Sequence, residues 1–437
     1  MTRPIRASET DACPGALRLH AAADGPLARV RLPGGMLTGA QLSSLAEIAE
    51  EWGDGGLELT SRANVQLRAL NGADPAQLAA RLHAAGLLPS ETHETVRNIA
   101  APPLASATLR ALVQSLDQAL CADPALAALP GRFLFAIGDV PLIADIAALA
   151  QTAARPHAAA PSPALSDTAA RPDGSPSPFA DDFAIVFAGR DVGLRVPADR
   201  VVEALLAGAH AFLAARAAAG VTAWRLAEIP DGPRRIATDV AAALRLPCTE
   251  PEKYEIPQQR SLVGVVEQGG GLVAAGAIVP LGRLTGVQMK VLSDAPRLAL
   301  TASRGVVIPD LSPEAAGSWL GALADAGLAV EADSRWSGVT ACAGRPGCAK
   351  SLADVRADAL ATTRFDEGLP VHWVGCPRGC GSPSVAHVRV EATPPGYAVV
   401  RAGGSAGPGD EAGAARPERD ISTHRRLAEI ITSARRG

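Results

Sequence analysis

Residues 31–42 read Arg-Leu-Pro-Gly-Gly-Met-Leu-Thr-Gly-Ala-Gln-Leu, and residues 278–289 read Ile-Val-Pro-Leu-Gly-Arg-Leu-Thr-Gly-Val-Gln-Met. Pro33, Gly35, Leu37, Thr38, Gly39 and Gln41 meet Pro280, Gly282, Leu284, Thr285, Gly286 and Gln288 without a gap. Further on, Leu57-Glu-Leu-Thr60 returns as Leu298-Ala-Leu-Thr301 after a shorter connection. Such self-similarity marks one structural unit used twice, here a unit of roughly 60 residues. Its hydrophobic pattern predicts a turn, an amphipathic helix and a β-strand in each copy. The order half-unit, domain, half-unit, domain predicts a pseudo-twofold molecule with a site at its centre.

The rest of the chain fills in around the repeat. Its 437 residues are 48% hydrophobic and 20% charged, enough to build packed cores and too apolar for a disordered chain. The divisions expected are 13–80 and 262–328 for the two half-units, 90–250 and 335–402 for the flanking domains, and 403–437 for a low-complexity tail with a terminal helix. Within the second of these pieces, residues 151–182 are rich in Ala, Pro, Ser and Asp and read as a flexible insert. Strand-like runs at 132–138, 183–188 and 397–401 alternate with helical patterns at 200–219, 311–327 and 422–435, which makes the class α+β. A net charge of −4 gives no basic footprint for nucleic acid. No run of about 18 uninterrupted apolar residues suggests a membrane span, and the opening residues carry no secretory pattern. A cytoplasmic protein is expected.

Two stretches could carry chemistry. Read as one strand, residues 59–68 put Leu59, Ala63, Val65 and Leu67 on one face and Thr60, Arg62, Asn64, Gln66 and Arg68 on the other. That face is either the solvated side of an antiparallel sheet or the wall of a polar ligand cavity, and the Asn, rare in strands, favours the cavity. The second copy offers Thr301, Ser303, Gly305 and Val307 there, so the first copy is expected to be the working one and Arg304 to matter less. Arg97-Asn98, before Ile99-Ala-Ala-Pro-Pro103, reads on its own as a turn.

The cysteines give the stronger signal. Cys342-Ala-Gly-Arg-Pro-Gly-Cys348 and Cys376-Pro-Arg-Gly-Cys380 place four thiols on two Gly- and Pro-rich loops. A C-x5-C spacing lies outside the usual C-x2-4-C knuckle of tetrahedral zinc, whereas wide glycine loops suit a cubane [4Fe–4S] cluster. Zinc and unliganded buried thiols are the alternatives. Cys13, Cys121 and Cys248 are scattered, as ordinary thiols are. No G-x-G-x-x-G opens a helix after a strand, so electrons are expected from another protein. Lysine occurs only at Lys253, Lys290 and Lys350 among 41 basic side chains, so nearly every cation is a guanidinium, suited to gripping carboxylates.

The duplicated half-unit, with Leu-Thr-Ser-Arg-Ala-Asn-Val-Gln in its first copy, Arg97-Asn98 and the two cysteine loops together resemble the sirohaem-dependent sulfite and nitrite reductase superfamily, over roughly residues 13–402. The resemblance implies two ferredoxin-like half-domains paired about a pseudo-twofold axis, with two α/β domains beside them. It implies a [4Fe–4S] cluster on Cys342, Cys348, Cys376 and Cys380, the last bridging to a haem iron. Members that reduce sulfite or nitrite carry a Lys-x-Lys on a mid-chain strand; here the matching positions are Arg132 and Leu134. The segment from Cys13-Pro-Gly-Ala-Leu to Pro33-Gly-Gly is similar to the precorrin-3B synthase branch.

That branch implies a monooxygenase of aerobic cobalamin biosynthesis. Molecular oxygen hydroxylates precorrin-3A, a tetrapyrrole polycarboxylate, and a ring acetate closes a γ-lactone. The electron donor would be a ferredoxin or an NAD(P)H-dependent reductase. Arg62 and Arg97 are the implied catalytic clamps, with Thr60, Asn64, Gln66, Arg68, Asn98 and Arg132 contacting the tetrapyrrole. The oxygen-activating iron is sirohaem or a mononuclear non-haem centre, for which His20, His83, His93, His210, His372 and His387 are candidate ligands. A true sulfite or nitrite reductase, and a non-catalytic tetrapyrrole or cluster carrier, are the rival readings.

Overall fold

Each half-unit is built by the same local rules. A 3-10 turn, Pro33–Gly35 in one and Pro280–Gly282 in the other, leads into a helix, Gly39–Trp52 or Gly286–Leu292. Both helices start with a reciprocal capping box, Thr38 with Gln41 and Thr285 with Gln288, which satisfies two backbone N–H groups that a helix start leaves unpaired. A strand pair and a second helix follow, Pro75–Ala84 in the first copy and Pro313–Asp325 in the second. The computed structural model describes residues 13–151, 182–403 and 424–436, apart from Val221, Pro247, Gln259 and Ser384. The expected insert at 151–182 therefore lies almost wholly outside the described residues, as does most of the low-complexity stretch after residue 403.

The two copies are knitted together by exchange of a strand. One sheet runs His20–Ala22, Gly25–Val30, Val65–Leu67, Leu57–Leu59 and then Arg283–Leu284 from the second copy. Its counterpart runs Gly264–Gly269, Leu272–Ile278, Gly305–Leu311, Leu298–Leu300 and then Met36–Leu37 from the first. All of these pairings are antiparallel. One core serves both copies, with Leu45, Ile48, Leu57 and Leu67 packed among the same cluster as Leu284, Met289, Ile308 and Leu323. At the seam, the Gly39 N–H donates to Ala295 O at 3.1 Å, and a Cβ on Gly39 would stand 2.1 Å from Ser293 O. Only glycine fits there.

The flanking layers complete the α+β architecture. The sheet Arg190–Pro197, Asp182–Phe187, Ile146–Ala150, Phe135–Ile137, Ile99–Ala100 is parallel among its last three strands. The helices Ala107–Ala122, Val201–Ala219 and Gly232–Leu244 bury Leu116, Phe212 and Ile236 in the core that this sheet shares. By length and composition Ala198–Ala219 could cross a bilayer, but its Ala204, Leu205, Ala209 and Phe212 are buried inside this core. The last sheet is Val339–Ala341, Val371–Val374, His387–Thr393, Gly396–Ala402. The terminal helix His424–Arg436 is no appendage, since Leu427 and Ile431 pack in one cluster with Trp373 and Val390.

One expectation fails locally. Residues 59–68 are a hairpin, not a single strand: Leu57–Leu59 pairs with Val65–Leu67 through a turn at residues 60–64. The Thr60 N–H donates to Asn64 O at 2.9 Å, and the Asn64 N–H returns to Thr60 Oγ1 at 3.1 Å, so the threonine side chain closes the turn itself.

Candidate active site

The same turn occurs in the second copy. The Thr301 N–H donates to Gly305 O at 3.0 Å, and the Gly305 N–H donates to Thr301 Oγ1 at 2.8 Å. Ala63 (φ 55°) and Arg304 (φ 61°) take the matching left-handed position. Each turn carries one arginine, and the two are offset by one residue. Both Arg62 and Arg304 line a cavity of about 840 Å³ lying between the half-units and the cysteine loops. Reading these residues as an alternating strand placed Arg304 on the wrong face. The Thr-x-x-x-Asn/Gly spacing shared by the copies was the signal that could have revealed it.

The cavity is strongly cationic. Among the described residues eight basic side chains line it, including Arg29, Arg62, Arg132, Arg304 and Lys350, against the one carboxylate of Glu58. Arg29, Lys350, Arg356, Arg378 and Glu58 were not picked out from sequence; the four cations lie far along the chain from the polar stretch they join, and Glu58 stands just before that stretch. Burial, with help from Arg225, lowers the Arg62 pKa to about 10, while Asp145 and Cys13 pull it the other way. The Arg62 guanidinium makes no hydrogen bond or ion pair with any described residue, so its donors are open to a ligand. The Arg132 guanidinium carbon lies over the Trp224 ring, 4.8 Å from its centroid, a cation–π contact that holds the side chain at the cavity wall.

Much of the expected polar ladder is engaged internally. Asn64 Oδ1 accepts from Leu32 N–H at 2.8 Å, and Asn98 Nδ2 donates to Gly131 O at 2.7 Å, so both fasten the hairpin to its neighbours. Gln66 donates to Glu58 Oε2 at 3.1 Å. Arg68 pairs with Asp24 at 2.9 Å and donates to Gly347 O at 2.7 Å. Thr60, Arg62, Asn64, Gln66, Arg68, Asn98 and Arg132 nevertheless all line the cavity. Arg97 does not. Its guanidinium holds Asp117 through two hydrogen bonds of 2.7 and 2.6 Å and donates to Leu87 O, so its expected place as a clamp on substrate is corrected to a buried structural ion pair.

The four cysteines of the two loops line the opposite wall. Cys342 and Cys376 follow the parallel strands Val339–Ala341 and Val371–Val374, so the sheet register brings the two loops side by side. The Gly375 N–H donates to Cys342 Sγ at 3.3 Å, and none of the four is in a disulfide. Burial pushes the Cys342 thiol up. Four thiols on one wall, with a backbone amide donating to the sulfur of Cys342, fit the donor set of an iron–sulfur cluster. Among the described residues no group of three or more His, Cys, Asp or Glu side chains could hold a single metal ion. Of the candidate histidines only His20 lines the cavity. His372 accepts from Thr340 and donates to Cys380 O at 3.0 Å, with burial lowering its pKa to about 3. His83, His93 and His387 bond to Leu88, Asp123 and Val385 carbonyls, and His210 bonds to the Asp123 carboxylate.

Residues 20–85 match the family described as the nitrite/sulfite reductase ferredoxin-like half domain. Over 407 residues the chain is 30% identical to a ferredoxin–nitrite reductase of Synechococcus elongatus, covering 83% of this chain and 75% of that one. The chain belongs to the nitrite/sulfite reductase family. A precorrin-3B synthase of Sinorhizobium sp is 25% identical, covering 91% of this chain and 83% of that one. In fold it matches the structure of the Mycobacterium tuberculosis NirA protein, with a TM-score of 0.66 at 21% identity over 86% of this chain and 74% of that one. The α+β fold with paired ferredoxin-like sheets, which the resemblance implied, is that of the family.

Proposed function

We propose that this member of the family is a precorrin-3B synthase, an oxygenase acting on precorrin-3A. Two observations together carry the reading. Among the described residues eight basic side chains line the cavity against one carboxylate, Glu58, a balance that suits a polycarboxylate tetrapyrrole. Leu134, where the sulfite and nitrite reducers carry their second lysine, is buried in an apolar cluster. It removes the second cation of a small-anion grip, so the tetrapyrrole is read as substrate. The precorrin-3B synthase relative also spans more of this chain than the nitrite reductase does.

On this reading Cys342, Cys348, Cys376 and Cys380 hold a [4Fe–4S] cluster, which when bound supplies single electrons received from a ferredoxin or an NAD(P)H-dependent reductase. Sirohaem, an iron tetrapyrrole with the same peripheral carboxylates, would meet the same cations. Arg62, with unengaged donors, binds a peripheral carboxylate in the plane of its fork, and Arg132, held by its contact with Trp224, binds a second. Guanidinium keeps the ring acetate ionised, the form needed to close a lactone. One atom of dioxygen enters the product as hydroxyl and the other leaves as water, with two electrons and two protons consumed.

Isotope labelling tests the reading. Under labelled oxygen gas the product should carry one labelled atom, in the hydroxyl, with the lactone oxygen unlabelled. Label derived from water refutes it. The 30% identity to a ferredoxin–nitrite reductase favours a second reading, reduction of nitrite or sulfite, and rapid consumption of either anion with a dye donor would establish that instead.

A further inference from the structure

Every one of the four cysteines has an arginine holding a carbonyl at its own residue or an adjacent one. Arg356 Nε donates to Cys342 O at 3.2 Å, and Arg68 Nη2 donates to Gly347 O, beside Cys348, at 2.7 Å. Arg389 Nη2 donates to Pro377 O, beside Cys376, at 2.8 Å, and Arg304 Nη2 donates to Gly381 O, beside Cys380, at 3.1 Å. These loops are rich in Gly and Pro and offer few regular backbone bonds, so the guanidinium forks supply what secondary structure does not. Arg68 comes from the first half-unit and Arg304 from the second.

The four differ in one respect. Arg68 is neutralised by Asp24 at 2.9 Å and faces Glu58 at 3.5 Å; Arg356 pairs with Glu58 at 2.7 Å and Arg389 with Glu391 at 2.5 Å. Arg304 has no carboxylate within 4.0 Å among the described residues, only the more distant field of Glu58 opposed by Arg356. His372, the other side chain holding this loop, donates to Cys380 O without a formal charge.

We infer that the four arginines form a cage that positions the cysteine loops, and that Arg304, its uncompensated member, raises the reduction potential of the cluster bound there. The inference rests on the cluster reading above. Reduction adds one negative charge beside a fixed, desolvated cation, and the interior screens that attraction weakly. Burial, which lowers the Arg304 pKa to about 10, leaves it charged at neutral pH. Arg304 is a positioning residue on this account, since it acts through the Cys380 loop.

The test is an electron paramagnetic resonance titration of the full-length, anaerobically reconstituted protein. Arg304→Gln, which keeps a donor for Gly381 O and removes the charge, should lower the reduced-to-oxidised ratio about tenfold at the wild-type midpoint, a shift of about 59 mV for one electron. Arg304→Lys should restore the wild-type value, and Glu58→Gln, which unmasks positive charge, should move the midpoint the other way. Arg389→Gln, removing a cation already paired, should move it less than Arg304→Gln does. Should Arg304→Gln fail to assemble, the upward shift in Glu58→Gln decides. An Arg304→Gln cluster with an unmoved midpoint overturns the role of Arg304, and so does an unmoved midpoint in Glu58→Gln where Arg304→Gln does not assemble. Wild-type protein that binds iron without acid-labile sulfide overturns the cluster reading instead, so the two failures are distinguishable.

Discussion

Arg62→Ala separates binding from stability in a way that few substitutions in this cavity can. The Arg62 guanidinium touches no described polar partner, so its removal strands no carboxylate. It also relieves a desolvated cation lying in the field of Arg225 and Arg29. Stability should therefore stay level or rise slightly. Ligand binding should not: a hydrogen bond to a charged group is worth about 1.5–3 kcal/mol, which is roughly ten- to a hundred-fold in Kd. Arg68→Ala is the contrast. It leaves Asp24 and Glu58 buried with less compensation and frees Gly347 O, and losing one partner of a buried ion pair costs about 3–5 kcal/mol. The assay is fluorescence titration with precorrin-3A, or with a porphyrin octacarboxylate as a stable stand-in, alongside urea unfolding of each variant. If Arg62→Ala binds as wild type does, or unfolds as readily as Arg68→Ala, the assignment of Arg62 to the ligand is wrong.

Cys376→Ser should abolish most acid-labile sulfide and the visible absorption of the purified protein, and stoichiometric zinc without sulfide in wild type would refute the assignment. Asp117→Asn should destabilise by about 3–5 kcal/mol, because Arg97 is left buried without its anion; cavity binding should be unchanged, and a large loss of affinity would return Arg97 to the site. Carboxylate binding should hold from pH 7 to 9 and fall as pH rises through about 10, where Arg62 loses the proton that carries its charge; binding undiminished at pH 11 would contradict this. Gly39→Ala should cost more than the roughly 1–3 kcal/mol of ordinary overpacking, since its Cβ would meet the fixed Ser293 carbonyl at the seam between the copies. A thermal melt within a degree of wild type would show the seam to be more compliant.

The parts of this structure legible in the sequence are those determined by neighbours in the chain. The capping boxes at Thr38 and Thr285 need only residues three apart, and the cysteine loops need only their own glycines. The terminal helix could be read as amphipathic, but not that Leu427 and Ile431 pack with Trp373. Arg97 shows the same limit, because its partner Asp117 sits on a helix twenty residues on and adjacency in sequence says nothing of that encounter. The hairpin failed for a different reason. Leu59, Val65 and Leu67 are buried whether the chain between them runs straight or turns, so alternation alone cannot separate the two. The threonine that bonds back to Asn64 decides it.

That turn also explains how a duplicated unit came to serve two ends of one cavity. Both copies keep the threonine, the back-bond and the left-handed residue, so the backbone geometry of the pair is common to both. Moving the arginine by a single position changes what it reaches. At Arg62 the guanidinium stands unengaged in the cavity, and at Arg304, on the left-handed residue itself, it reaches Gly381 beside Cys380. A symmetric scaffold thus delivers one cation to the ligand and another to the cysteine wall without any change of fold. The asymmetry lies in side-chain placement within a conserved turn. An arginine swap tests this directly, with Arg62→Ala and Ala63→Arg combined in the first copy. The new guanidinium should leave the ligand position, so octacarboxylate affinity should fall as far as in Arg62→Ala alone, and recovery of wild-type affinity would show that position within the turn does not decide the role.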